Sequence, residues 1–127
     1  PPFVVFVDGS LLFDTNFTYG GPGSGMVFVV KGDVNIEKAV TRVDAVIISE
    51  GTICTSYDKV GNSCSDSNVP LLINGSLISL NQAKPILFRR RLADNSLPAE
   101  KIVWQPKYLV ILKDLFADTY QKWSEIQ

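Results

Sequence analysis

The sequence contains no histidine. That absence removes serine–histidine–aspartate and cysteine–histidine nucleophilic arrangements, histidine-ligated metals, and the side chain that changes charge near neutral pH. No apolar run approaches the roughly 18 residues that a membrane-spanning helix requires. Neither sign of charge dominates: 12 Lys and Arg stand against 13 Asp and Glu, for a net charge of −1. A surface so balanced has no overall field to draw in a polyanion, so no nucleic-acid partner is expected. Methionine occurs once, at Met26, and the chain opens Pro1-Pro2. It therefore reads as a processed protein or a piece of a longer one, with membrane contact only through a segment outside this chain.

What is present suits one folded domain. The 127 residues are 46% hydrophobic and 20% charged, enough for one core and too few for two. The two cysteines, Cys54 and Cys64, flank a polar stretch with Gly61-Asn62 that reads as a loop. They are either bridged or two free thiols. A bridge would contribute about 3 kcal/mol by restricting the unfolded chain. An exposed free thiol is a reactive liability. A Cys54–Cys64 disulfide is therefore expected, and with it a compartment outside the reducing cytoplasm.

The most informative pattern is internal. VFVDGSLLF, FVVKGDVNI, IISEGTICT and LLINGSLIS place Gly9, Gly32, Gly51 and Gly75 at spacings of 23, 19 and 24 residues. Each glycine follows three mostly apolar residues and one polar residue (Asp8, Lys31, Glu50, Asn74). A small polar residue comes next, then an aliphatic one (Leu11, Val34, Ile53, Leu77). Asn-Gly alone signals a hairpin, and an antiparallel sandwich of short strands fits each copy locally. Recurrence near 20 residues favours stacked units instead, each turning at a glycine corner with its aliphatic residue inward. The expected fold is all-β: a parallel β-helix-like solenoid of about four coils over residues 1–106, with loop insertions at 14–25 and 54–69. Residues 107–127 form a helical or irregular C-terminal cap, because Leu112, Leu115, Phe116, Tyr120 and Trp123 recur at helical intervals. Such a stack leaves an open end that needs covering.

The segments LLINGSLISL, FRRRL, NSLPAEKIVWQPKYL and KWSEIQ together resemble the C-terminal region of uncharacterised bacterial envelope and pilin-like proteins. The shared features are the NGSLI corner, the arginine strand, the Pro-Ala-Glu turn, a Pro-x-Tyr-Leu segment and a Trp-x-Glu ending. That resemblance implies a domain outside the cytoplasm, on the cell surface or a pilus-like appendage, anchored in the full-length protein by a membrane segment. It also implies partners among other envelope or pilus proteins, or further copies of itself.

Two charge features carry candidate chemistry. Asp8, Lys31 and Glu50 share one position in the first three copies, so they would line up as a ladder of alternating sign. Acids near corners (Asp8, Asp33, Asp44, Glu50) serve a polysaccharide-cleaving enzyme only if two lie about 5 to 10 Å apart in a cleft, and no cleft is marked. No catalytic residue, metal ligand or cofactor is expected. In the triplet Arg89-Arg90-Arg91, a strand would put Arg89 and Arg91 on one face and Arg90 on the other. The outer pair would hold a surface polysaccharide or a partner's acids, or else pair internally with acids such as Asp94 and Glu100. An inward Arg90 would have to be paired. The sequence thus points to a non-enzymatic structural or assembly domain. The first alternative is an adhesin-like glycan- or partner-binding module using Arg89, Arg91 and loop aromatics; the second is a polysaccharide-acting enzyme.

Overall fold

The structure is a computed structural model that describes residues 2–20, 24–93 and 96–113. These residues form twelve strands: β1 (Pro2–Val7), β2 (Leu11–Phe13), β3 (Gly25–Val30), β4 (Val34–Glu37), β5 (Arg42–Val43) and β6 (Val46–Ser49). The others are β7 (Ile53–Asp58), β8 (Ser63–Cys64), β9 (Leu71–Asn74), β10 (Ser76–Ser79), β11 (Ile86–Leu87) and β12 (Glu100–Val103). The protein is all-β and its pairing is parallel, apart from β8, which returns antiparallel on β7. Three sheets result, ordered β1-β3-β6-β10, β2-β4-β7-β11 and β5-β9-β12; none closes on itself. The bridge Phe17↔Val43 extends the third sheet by one rung toward the start of the chain.

The pairing registers explain the apolar pattern. Val5, Phe28, Ile47 and Leu77 form one continuous column, and Leu11, Val34, Ile53 and Ile86 form another. Both columns belong to the main core, with Val43, Leu71 and Ile73 of the third sheet. Parallel pairing repeats one side-chain type at one height, so branched aliphatics stack on one another. The first turn of the core is filled by rings: Phe13 meets Phe28 edge-on at 5.4 Å and Phe17 at 6.0 Å.

Gly9, Gly32 and Gly51 stack at the corner between the first and second sheets. The Gly32 N–H donates to the Gly9 carbonyl at 2.8 Å, and the Ser49 hydroxyl donates to the Gly32 carbonyl at 2.8 Å. A Cβ on Gly32 would lie 2.8 Å from the Gly9 carbonyl oxygen, so backbone approaches where a side chain would stand. Gly75 departs from this column. It turns the chain between β9 and β10, and its neighbour is Ala45 at the junction of β5 and β6. Since Ser79 pairs with Ser49, the residue in line with Gly51 is Asn81.

Both expected loop insertions contain sheet. Within 14–25, Phe17 pairs with Val43, Asn16 exchanges hydrogen bonds with Thr41, and Gly25 opens β3. Within 54–69, residues up to Asp58 belong to β7, and β8 folds back upon it. Cys54 and Cys64 are joined in a disulfide with Cα atoms 6.0 Å apart, tying the hairpin to its own strand. The polarity there belongs to strand residues: Thr55 and Ser56 are buried.

The tail starts as a helix at residue 107, with Pro106 in its first turn, and is described through residue 113. Its described part does not close an end. Tyr108, fully buried, packs with Val27 and Val46 on the outer face of the first sheet, flanked by Val4, Val29, Ile48 and Ile78. The Met26 N–H donates to the Tyr108 hydroxyl at 3.1 Å, and burial raises the Tyr108 phenol above its ordinary pKa. The reason is in the strands: Phe3–Val7, Met26–Val30 and Val46–Ile48 are apolar on both faces, so the outer face also needs cover. Leu115, Phe116, Tyr120 and Trp123 lie outside the described residues.

Candidate functional site

The arginine triplet is not a strand, since β11 ends at Leu87, but its side chains alternate as a strand's would. Arg90 makes a bridge with Ser67, so its side chain turns inward, while Arg89 and Arg91 face out. Arg90 is buried, and its guanidinium is spread over main-chain carbonyls of separate segments. Nε donates to Thr55 O at 2.8 Å and Nη2 to Glu37 O at 3.0 Å. Nη1 donates to Val40 O at 2.6 Å and Val69 O at 3.2 Å. Burial lowers the Arg90 pKa from its ordinary value, against the opposing pull of Glu100 and Glu37. The Glu100 carboxylate accepts from the Arg90 N–H and from the Thr55 hydroxyl. Arg90 is therefore a fastener between strands, with four of its five N–H groups committed to main-chain carbonyls.

Arg89 and Arg91 both reach Asp66, at 4.0 and 3.7 Å. Asp66 was not among the acids the sequence marked as partners; of those, Glu100 serves Arg90, and Asp94 lies outside the described residues. The Asp66 position follows from main-chain pairing, because Ser67 N–H donates to Arg89 O and Arg91 N–H donates to Ser67 O at 2.7 Å. Beside this pair opens a shallow groove of about 570 Å³, lined by Lys38, Asp66, Ser67, Asn68, Val69 and Arg91. Lys38 sits 3.6 Å from Asp58, whose carboxyl is held below its ordinary pKa by the Gly61 and Val60 N–H groups. The Asp66 pairs are solvent-exposed and the Lys38–Asp58 pair partly so, and each contributes little individually.

No protein-family model, curated protein or solved structure matches this chain.

The remaining marked acids act as clamps. The Asp44 carboxylate takes both Nε and Nη2 of Arg42 at 2.9 and 3.0 Å, Nδ2 of Asn74 at 2.8 Å and the Tyr19 N–H at 3.2 Å. Burial pushes this carboxyl up, but those hydrogen bonds outweigh it and hold the group below its ordinary pKa. Asp44 thereby ties strand ends to residues 17–20. Asp33 Oδ1 accepts from the Thr52 N–H at 2.8 Å, linking adjacent corners. Lys31 lies 3.8 Å from Asp8, with both side chains highly exposed, and the register places Glu50 next in that column.

Proposed function

We propose that the chain is a four-coil β-solenoid that serves as a non-enzymatic structural and assembly element outside the cytoplasm, in an envelope- or pilus-associated protein. The observation that carries this reading is the strand order: three parallel sheets, each adding its strands in the order in which the chain makes them. The first wind gives the third sheet only the Phe17 bridge, each later wind contributes one strand to each sheet, and the windings stack. The disulfide supports an oxidising compartment. A rod of this kind holds its ends at a fixed separation and presents few flexible sites for cleavage. Thermolysin digestion of native protein, followed by mass spectrometry, tests it. Oxidised protein should remain uncut between residues 25 and 93 for hours, and Cys54 and Cys64 should alkylate only after reduction. Rapid cleavage within β3 or β6, or free alkylation without reductant, would overturn the reading.

The groove favours a second reading as an anionic-polymer site, because Lys38 and Arg91 line it and Arg89 shares its Asp66 partner beside it. A sulfated or phosphorylated polysaccharide titrated into the protein should bind, with Arg89→Gln/Arg91→Gln weakening it at least tenfold and Asp66→Asn strengthening it. Equal affinity in all three proteins sinks this reading.

A further inference from the structure

The two ends of the stack differ in a way that makes them fit one another. One end is formed by β1, β2 and Phe17, the other by β10, β11 and β12, and these are the outermost rungs of all three sheets. At the first end the six-residue β1 carries no charge from Phe3 to Val7, and Phe6 is 73% exposed. Edge strands are normally blunted by lysine, bulges or cover, and a long uncharged edge invites a further strand. At the last end Phe88 and Ile102 are 52% and 43% exposed. The columns continue across: Ile78 lies in the column of Phe6, Leu87 in that of Leu12, and Ile102 in that of Phe17.

Charge separates along the same axis. The first 20 residues contain Asp8 and Asp14 and no base. Residues 76–103 contain Lys84, Arg89, Arg90, Arg91 and Lys101 against Asp94 and Glu100, and of these bases only Arg90 is buried. Asp14, paired with Lys59, follows β2 at the first end and Arg89 follows β11 at the last, so opposite charges flank the two outermost strands of the same sheet. Stacking two first ends would bring acid to acid, and two last ends base to base.

We propose that the last end of one copy docks on the first end of a second copy, continuing all three sheets in parallel and building head-to-tail chains of this domain. This rests on the solenoid reading and names its partner as the chain itself. A head-to-tail contact does not close, so growth is open-ended. The pairing is apolar along the columns and steered by charge at the rim.

Sedimentation of the 127-residue chain over a concentration series tests it. The average mass should rise past dimer without a plateau, and less steeply in high salt. Phe6→Lys blocks the first end, and Arg89→Glu/Lys101→Glu the last. Each variant alone should remain monomeric, and their mixture should stop at one-to-one dimers, since each retains one working end. Thermal melts identical to the parent establish that each variant is folded. A monomer at every concentration, or a closed dimer that survives both variants, overturns the proposal. If the monomer also resists thermolysin the structural reading stands; if it does not, both fall.

Discussion

Arg90→Met should cost at least about 3 kcal/mol of stability, as read from urea denaturation midpoints. The residue is buried, and its partners are four carbonyl oxygens of Glu37, Val40, Thr55 and Val69. Leaving one buried polar group without a partner costs roughly 1–3 kcal/mol. Removing one side of a buried charged arrangement costs roughly 3–5 kcal/mol. A buried ion pair can be replaced by apolar side chains at little loss, but here the acceptors are backbone and no substitution can remove them. The loss of charge also leaves Glu100 facing the site without its cation. Arg90→Lys keeps the charge and loses the fork, so it should recover less than half of the deficit. Against a domain stability of about 5–15 kcal/mol the methionine variant will be marginal. A midpoint within experimental error of the parent would show that Arg90 fastens nothing.

Gly75→Ala is the second large effect, expected at about 2–4 kcal/mol. Gly75 has φ +157°, and a Cβ there would run into the carbonyl group of Ala45, itself fully buried. The collision is with backbone, which cannot rotate aside. Relief would require the β5–β9 and β6–β10 pairings to separate on either side of the corner. Gly9 supplies the control: its φ of +143° is equally unfavourable for alanine, but a Cβ there meets nothing within 4 Å. Gly9→Ala should therefore cost only about 1 kcal/mol, the conformational component alone. Similar losses at both positions in thermal melts would mean that backbone strain, and not the stacking of corners, sets the requirement for glycine.

These two residues also mark how far the fold was legible in the sequence. The parallel, glycine-cornered stack could be read from Gly9, Gly32 and Gly51, because they carry the same neighbours and share one column. LLINGSLIS carries the same local chemistry, yet Gly75 turns a different corner. A polar-Gly-small-aliphatic string specifies a tight turn with an inward aliphatic residue, and more than one corner of the molecule needs that. Only the pairing of Ser76 with Val46 separates them, and pairing is not local. The third sheet escaped notice because its early rungs are one or two residues long, Phe17 and then Arg42–Val43, too short for any periodicity.

At the candidate site the alternation of Arg89, Arg90 and Arg91 was readable, including the need for an inward arginine to be satisfied. Its partners were not, since main-chain carbonyls carry no residue identity. Asp66 and Lys38 were missed for a related reason: they reach the groove through the pairing of Ser67 with the arginine triplet and through the corner after β4. That the described start of the helix, through residue 113, lies on the outer face of a sheet also had a signal in the sequence. Strands apolar on both faces, as in FVVFV and MVFVV, announce a second surface to be covered, whereas an open end exposes only one rung.

The unequal lengths of the successive winds have a consequence of their own. From β3 to β6 the paired positions Val27 and Val46 are 19 residues apart, while from β6 to β10 the pair Val46 and Ser76 spans 30. Those additional residues are accommodated in the β7–β8 hairpin and in the stretch before β9, and β6 and β10 still pair in continuous register, while the β4–β7 ladder takes one shift between Asn35 and Glu37. Length and phase are thus independent variables in this molecule. The tip of the hairpin, Lys59 to Asn62, is a natural splice point: a foreign peptide inserted there would be carried at a fixed place beside the second sheet, with the Cys54–Cys64 bond at its root acting as the clasp.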